Sequence, residues 1–378
     1  MPWKVDCAMS LRLEFVTLAS QPQANLSALC RRFGISRKTG YKWLARQRQG
    51  IALSDRPRRP HRSPGRTCED VEQRVLALRD RHPAWGARKL RRRLIDLGHD
   101  DLPCPSVVQA ILARHGRIEV KQSPGHRPAQ RFERLEPNDL WQMDYKGHFA
   151  TDAGRCHPLT VLDDHSRYNL VLKACSNERH ETVKAALIDT FERYGLPRSI
   201  LADNGPPWGS FGIENNWTRL GVWLVRLGIG LIHGRPCHPQ TQGKEERFHR
   251  TLKAEVLGTR FFRDLSHAQE AFDAFRPVYN HQRPHEALAM NVPASRYQAA
   301  RRSYPSVLPA VEYAPGDTVR KVDDAGALWL HGRRYKVGQA FAGELVAARP
   351  SPVDGQWDVF YSHQKVARIN LRGESEQG

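Results

Sequence analysis

The sequence predicts a multidomain protein with all-α units at its N-terminus, a central α/β core with a mixed five-stranded sheet, and a small C-terminal β-barrel. Three observations lead to this prediction. The chain has 378 residues, which exceeds a typical single domain. Its first third has the periodicity of amphipathic helices, and its middle alternates strands with helices. Its last part consists of short β segments separated by Gly and Asp turns.

The positive charge is concentrated near the N-terminus. The chain has a net charge of +19, and residues 1–135 hold 28 of the 59 basic residues against only 12 of the 40 acidic ones. A bias confined to one part of the chain indicates a module that binds a polyanion. The alternative is a charged surface that serves only solubility.

The cysteines and the hydropathy pattern bound the class of protein. Seven cysteines without a CxxC pair predict reduced thiols rather than a disulfide framework or a zinc finger. No apolar run is long enough to span a bilayer, and the N-terminus lacks an apolar signal core. We therefore expect a cytoplasmic protein.

Residues 1–53 are predicted to form a helix-turn-helix domain that binds double-stranded DNA. Residues 25–33 have an amphipathic pattern, and Gly34–Ser36 supplies a turn and an N-cap before a second, basic helix. The outward cations of that helix are the candidate DNA contacts: Arg37, Lys38 and Lys42. Residues 54–66 are predicted to be a basic, proline-rich linker that either contacts phosphates or is merely solvated.

Residues 67–118 are predicted to form a second helix-turn-helix DNA-binding domain. Glu69–Arg81 has a helical pattern, His82–Gly86 interrupts it, and a basic helix follows from Ala87. The candidate DNA contacts on this helix are Arg88, Lys89 and Arg92. Residues 119–137 are predicted to be a polar connector.

Residues 138–300 are predicted to be the α/β core and residues 311–372 the β-barrel. The core should contain a meander of three strands followed by alternating helices and strands, which is typical of a mixed sheet. The predicted core strands are Leu140–Gly147, Cys156–Leu162, Tyr168–Cys175, Ser199–Ala202 and Ile229–His233.

Three carboxylates in this core are candidate catalytic residues and metal ligands. Asp144 lies in a strand, Asp203 follows another, and Glu246 lies in the first turns of a helix. Strand ends and an adjacent helix can bring such groups together, where they would repel one another. Divalent cations relieve that repulsion, and clustered carboxylate oxygens suit Mg²⁺. Each carboxylate alone could equally be a turn cap or a surface charge.

The segments around these carboxylates resemble the core of the retroviral-integrase superfamily, and more narrowly the insertion-sequence transposases with an Asp-Asp-Glu triad. The motifs that carry the resemblance are Leu140–Asp144, Asp203–Pro207, His238–Arg247, Asp163–Tyr168, Thr251–Lys253 and Tyr279–Leu288. The N-terminal helix-turn-helix pair is also usual in the family. The spacing from Asp203 to Glu246 is longer than usual, with an apparent insertion around Trp208–Trp217, as in the single-reading-frame branch.

The resemblance implies a ribonuclease H-like fold with two Mg²⁺ ions, or Mn²⁺, held by Asp144, Asp203 and Glu246. It also implies DNA cleavage followed by strand transfer, with the helix-turn-helix domains bound to the element's terminal inverted repeats. The expected partners are element-end and target DNA and further copies of the chain, as a homodimer or higher oligomer. The expected setting is the bacterial nucleoid.

Several residues near the triad allow more than one interpretation. Glu245 competes with Glu246, but the pattern Gly-Lys-x-Glu-Arg and the helical face shared with Arg250 and Lys253 favour Glu246. Lys244, Arg250 and Lys253 are predicted to contact DNA. Asp163 and Asp164 are the main carboxylates that could be mistaken for metal ligands, and Asp164 is predicted to stabilise a turn with Arg167.

Two other functions fit parts of the sequence. A domesticated or inactive DNA-binding regulator would keep the N-terminal third without needing the triad. A ribonuclease H-like nuclease would cut DNA without joining it.

Overall fold

The computed structural model describes residues 8–55, 66–118, 133–209, 217–233 and 243–372. The chain divides into two compact units, Met1–Arg66 and Thr67–Gly378. Most of the predicted basic linker, connector and insertion, and the segment 234–242 before the Glu246 helix, lie outside the described residues. The predicted domain boundaries stay predictions.

The first unit contains the three short helices expected from its periodicity. They are α1 (Ala8–Ala19), α2 (Leu26–Arg32) and α3 (Arg37–Arg48). Asn25 and Ser36 cap α2 and α3, because each side chain accepts a backbone N–H of the first turn. Phe15, Cys30 and Trp43 meet in a small core. That core holds α3 so that its basic side faces solvent.

The second unit begins with another three helices. They are α4 (Glu69–Arg81), α5 (Ala87–Asp96) and α6 (Pro105–Arg114). Their apolar stripes close on Val75, Trp85, Leu90 and Ile111, none of which has measurable exposure. The buried carboxylate of Glu72 accepts a hydrogen bond from Arg114 at 2.6 Å, which compensates its removal from water.

The central sheet is mixed, as predicted. Its strands are β1 (Trp141–Tyr145), β2 (Phe149–Thr151), β3 (Gly154–Asp163), β4 (Asn169–Cys175), β5 (Ser199–Ala202) and β6 (Gly230–His233). The first strand ends at Tyr145, and the short strand β2 after it, which the sequence did not predict, also pairs with β3, so the described sheet has six strands and not the predicted five. The strands from β1 to β4 pair antiparallel, with β3 as the common neighbour. In contrast, β5 pairs parallel with β1 on one side and with β6 on the other.

Helices cover both faces of the central sheet. They are α7 (His180–Tyr194), α8 (Arg219–Arg226), α9 (Gly243–Glu255) and α10 (Leu265–His281). Leu187 and Phe191 of α7 pack with α8 on one face. Phe248 of α9 and Phe272 of α10 pack on the other. The two cores hold the sheet in place and so determine the position along the sheet at which each strand ends.

The C-terminal strands do not form the predicted barrel. They are β7 (Thr318–Lys321), β8 (Ala327–Leu330), β9 (Arg333–Lys336), β10 (Leu345–Pro350), β11 (Gln356–Tyr361) and β12 (Gln364–Asn370). In the described residues they make an open antiparallel sheet, β12-β11-β10-β7, and a separate β8–β9 hairpin. Both pack around Phe341 and Tyr361, together with Val222 and Val225 of α8. Because α8 fills part of this core, the strands need not close on themselves.

Across the residues that the structure describes, no helix has the length and apolar character needed to cross a membrane.

Candidate active site

Asp144 lies near the end of β1 in a mostly enclosed position. Its side chain is 25% exposed. Its pKa is raised to about 7, mainly by burial and also by the nearby carboxylates of Asp203, Glu178 and Glu246, while the hydrogen bond from the Tyr145 amide opposes the shift. The structure therefore brings Asp203 and Glu246 each within electrostatic reach of Asp144. It also adds Glu178, which the sequence motifs did not indicate.

Asp203 reaches the site because β5 runs parallel to β1. Trp141 pairs with Ile200 and Gln142 with Leu201. Extended by two residues, this register places Asp203 level with Asp144. The Asp203 carboxylate is exposed and accepts the backbone N–H of Asn204.

Glu246 projects from the first turn of α9. Phe248 and Leu252 on the opposite side are buried in the core. Glu246, Arg250 and Lys253 are exposed. The helical face predicted from the sequence is therefore confirmed: a carboxylate and two cations share the outer side of α9.

Glu245, the competitor of Glu246, points the opposite way. Its side chain is fully buried, and its Oε2 accepts a hydrogen bond from the Thr160 hydroxyl at 2.9 Å. Burial raises the pKa of Glu245 well above its usual range, and the Asp144 carboxylate raises it further. Glu245 thus lies beneath the site, while Glu246 lies on its surface.

The carboxylates of Asp203 and Glu246 lie near Asp144, but the three predicted ligands do not surround a common position that a metal ion could occupy. Among the described residues, no three His, Cys, Asp or Glu side chains are grouped closely enough to hold a metal ion. The donor chemistry nevertheless fits, since three carboxylates that repel one another beside an open surface match the oxygen ligands of Mg²⁺. Cations entering between them would relieve the repulsion felt by Asp144.

Asp163 and Asp164, which could be mistaken for metal ligands in the sequence, have structural roles. Asp163 caps the β3–β4 turn, accepting both the amide and the hydroxyl of Ser166. Asp164 is fully buried and accepts from Gln142 at 2.7 Å and from the amide of Arg134 at 2.7 Å. Its cationic partner is Lys244. The predicted pair of Asp164 with Arg167 is wrong, because Arg167 reaches Glu133 at 3.5 Å instead.

Lys244 is predicted to contact DNA, and the structure places its ammonium in an ion pair with Asp164. Its side chain is only 12% exposed, and its Nζ also donates to the Asp164 carbonyl at 2.9 Å. The pKa of Lys244 is lowered to about 8 by burial and by repulsion from Arg167, against the opposing effect of Asp164. The ammonium is used to attach the start of α9 to the β3–β4 turn.

The predicted DNA contacts of the first unit are all accessible. Arg37, Lys38 and Lys42 are exposed along α3, and Lys42 Nζ lies 4.3 Å from the centre of the Trp43 ring. Tyr41 is 62% exposed on the same helix. This helix presents three cations and an aromatic ring to solvent, as a phosphate-contacting surface requires.

The predicted contacts of the second helical unit differ in accessibility. Arg88 is exposed. Burial lowers the pKa of Lys89 to about 8, with further repulsion from Arg283. Arg92 donates to Asp96 at 2.8 Å and to Asn291 at 3.2 Å. The helix therefore turns part of its basic side toward the core domain instead of solvent.

A buried polar junction joins this helical unit to α9. The indole of Trp85 donates to Glu255 Oε2 at 3.1 Å, and Arg283 donates to Glu255 Oε1 at 2.7 Å. All three side chains are buried or nearly so. Glu255, the last residue of α9, is therefore held by Trp85 of the helical unit and by Arg283, which follows α10.

Comparison with known families matches models along most of the chain. An integrase core domain matches residues 134–239, and a second integrase core model matches residues 227–293. A helix-turn-helix domain matches residues 11–61, and a homeodomain-like domain matches residues 39–112. The C-terminal domain of IS481 family transposases matches residues 317–377. Together with the mixed sheet and its helices on both faces, the two integrase core matches identify the central region as an integrase core with a ribonuclease H-like fold.

The similar proteins are mobile-element and retroviral proteins. The chain is 26% identical over 260 residues to the uncharacterized 39.2 kDa protein of insertion element IS476 from Xanthomonas euvesicatoria, covering 67% of this chain and 71% of that protein. It is 27% identical over 167 residues to the IS407 31.7 kDa protein of Burkholderia multivorans, covering 44% and 57%. The chain is therefore similar to insertion-element proteins, and its last part matches the C-terminal domain of IS481 family transposases.

Solved structures with partial likeness are also integrases. The catalytic core of HTLV-2 integrase in complex with magnesium is 16% identical, with a TM-score of 0.33, covering 43% of this chain and 99% of that one. A simian T-cell lymphotropic virus intasome chain is 15% identical, with a TM-score of 0.40, covering 79% and 96%.

Proposed function

We propose that the chain is a DNA transposase that binds the terminal inverted repeats of its insertion sequence and catalyses strand cleavage and strand transfer. The observation that supports this proposal is that the carboxylates of Asp203 and Glu246 both lie close enough to Asp144 to raise its pKa. The similarity to insertion-element proteins supports the element and its ends as the substrate.

The three carboxylates are proposed to hold two Mg²⁺ ions, or Mn²⁺. When bound, such ions stabilise both the attacking and the leaving oxygen of a phosphodiester. Asp144 and Asp203 would hold them at the ends of adjacent strands, and Glu246 from α9. Arg250 and Lys253 are exposed on the Glu246 face and are proposed to contact the phosphates on either side of the reacting one.

DNA recognition is proposed to belong to the two helical units. The exposed cations of α3, and Arg88 in the second unit, neutralise phosphates and fix the position of the DNA. Joining two element ends to one target requires two ends to be held at once, which favours a homodimer or a higher oligomer of the chain.

The proposal is tested with the full chain, Mg²⁺, a labelled duplex carrying the inverted repeat that flanks the reading frame, and unlabelled target DNA. A transposase is expected to cleave the duplex at the element end and to produce longer, joined labelled products. Cleavage without joined products would favour the nuclease. Binding without either product would favour the DNA-binding regulator.

Removing two cations from α3 is expected to weaken DNA binding in a salt-dependent way. Each phosphate that is no longer neutralised should reduce the slope of log binding constant against log salt concentration by about 0.9. The Arg37→Ala/Lys38→Ala variant should therefore show a slope smaller by roughly 2, measured by fluorescence anisotropy on labelled duplex. The control is Lys336→Ala, which removes an exposed lysine of β9, outside the helical units. An unchanged slope in the double variant would remove α3 from the interface.

A further inference from the structure

A buried polar cluster lies directly beneath the proposed metal ligands. The Glu245 carboxylate and the Thr160 side chain have no solvent exposure. The Thr160 hydroxyl is 2.9 Å from Glu245 Oε2 and 2.8 Å from His249 Nε2. A buried carboxylate is costly unless hydrogen bonds compensate it, so the cluster needs a structural or functional reason.

Thr160 links this cluster to the strand that carries Asp144. The two residues lie directly opposite each other in the β1–β3 pairing, so their side chains share one face of the sheet. The Thr160 hydroxyl is also 2.9 Å from the main-chain oxygen of Asp144. The hydroxyl has one proton, which it can donate either to the Glu245 carboxylate or to the Asp144 main-chain oxygen, and its lone pairs can accept from His249 Nε2. The same group therefore touches β1 and α9.

His249 extends the cluster to the Asp144 side chain. It lies one turn after Glu245, with Nε2 at 3.7 Å from Glu245 Oε2. Its Nδ1 is 3.9 Å from Asp144 Oδ2. The cluster thus meets Asp144 at both its main chain and its carboxylate.

We infer that Glu245 and Thr160 are positioning residues that set the rotation of α9, and so the direction in which Glu246 faces Asp144. Consecutive residues of a helix diverge by about 100° around its axis. Anchoring Glu245 inside the sheet therefore turns Glu246 to the surface beside Asp144. This inference rests on the proposed metal site, and it assigns no ligand role to Glu245 or Thr160.

The test measures Mn²⁺ binding by the full chain, with unbound Mn²⁺ detected by electron paramagnetic resonance. Glu245→Ala and Thr160→Val are expected to weaken binding by about 10- to 100-fold, as for residues that orient metal ligands. Glu245→Gln and Thr160→Ser keep a hydrogen-bonding group and should remain near wild type. Melting temperatures of the same variants distinguish a positioning defect from a folding defect. If Glu245→Ala does not fold, the two Thr160 variants test the inference on their own.

The outcomes separate this inference from the proposed function. Equal Mn²⁺ binding by all four variants and wild type would overturn the positioning role. If Glu245→Gln lost binding as fully as Glu246→Gln, Glu245 would be a ligand itself, and the inference would be wrong. If Asp203→Asn and Glu246→Gln bound Mn²⁺ like wild type, the metal site itself would be misplaced, whatever the Glu245 variants did.

Discussion

Replacing Glu246 with glutamine is expected to lower the rates of both DNA cleavage and strand joining by more than about a hundredfold. The substitution preserves size and removes the charge that a metal ligand needs. Loss of an outer-shell group that merely orients a ligand already costs up to about a hundredfold, so loss of the ligand should exceed that. Both rates are measured on gels from one labelled element-end duplex with Mg²⁺.

The matched control is Glu192→Gln, since Glu192 is an exposed glutamate on α7. It should cleave and join like the wild type. Both steps should fall together in Glu246→Gln, because each is an attack of an oxygen nucleophile on phosphorus at the same site. A variant that still joined strands at the normal rate would show that the third ligand lies elsewhere.

Replacing Lys244 with alanine is expected to destabilise the chain by about 3 kcal/mol, at the lower end of the cost of breaking a buried ion pair. Asp164 has no solvent exposure and would lose its cationic partner. Its remaining hydrogen bonds from Gln142 and the Arg134 amide keep the loss from being larger. The thermal midpoint, followed by circular dichroism, should fall by roughly 5 °C.

Lys253→Ala provides the control for this effect, because Lys253 is exposed on the same helix. Its free energy of unfolding should stay within about 0.5 kcal/mol of the wild type. The salt dependence of DNA binding should show the reverse pattern, reduced in Lys253→Ala and unchanged in a folded Lys244→Ala. If Lys244→Ala were as stable as the wild type but bound DNA with a smaller slope, the lysine would contact phosphate after all.

Much of the core could be predicted because its periodicity is local. The apolar spacing of Phe248 and Leu252 indicated both the helix and its buried side. The strand that ends before Asp203 was equally clear, because a short apolar run stops at a turn. These features depend on residues a few positions apart, which is the range over which a sequence pattern carries information.

The remaining features depend on contacts between distant segments. The ion pair of Lys244 with Asp164 spans 80 positions, so the sequence could suggest only a cation near DNA. The missing barrel closure depends on α8, which supplies Val222 and Val225 to the C-terminal core. The adjacent glutamates 245 and 246 did hint at two roles, and the strand register opposite Asp144 could have pointed to Thr160.

The junction at Trp85 makes α9 a spacer of fixed length. Glu246 and Glu255 lie nine residues apart on this helix, about 13 Å along its axis, and Glu255 is held by the indole of Trp85. Each nucleotide of one DNA strand rises about 3.4 Å along the duplex axis, so that length equals the axial rise of roughly four nucleotides. With Arg88 bound to a phosphate of the duplex, the phosphodiester that meets Glu246 would be determined by its distance from that phosphate. Element ends with extra base pairs inserted between those two points would be bound and left uncut.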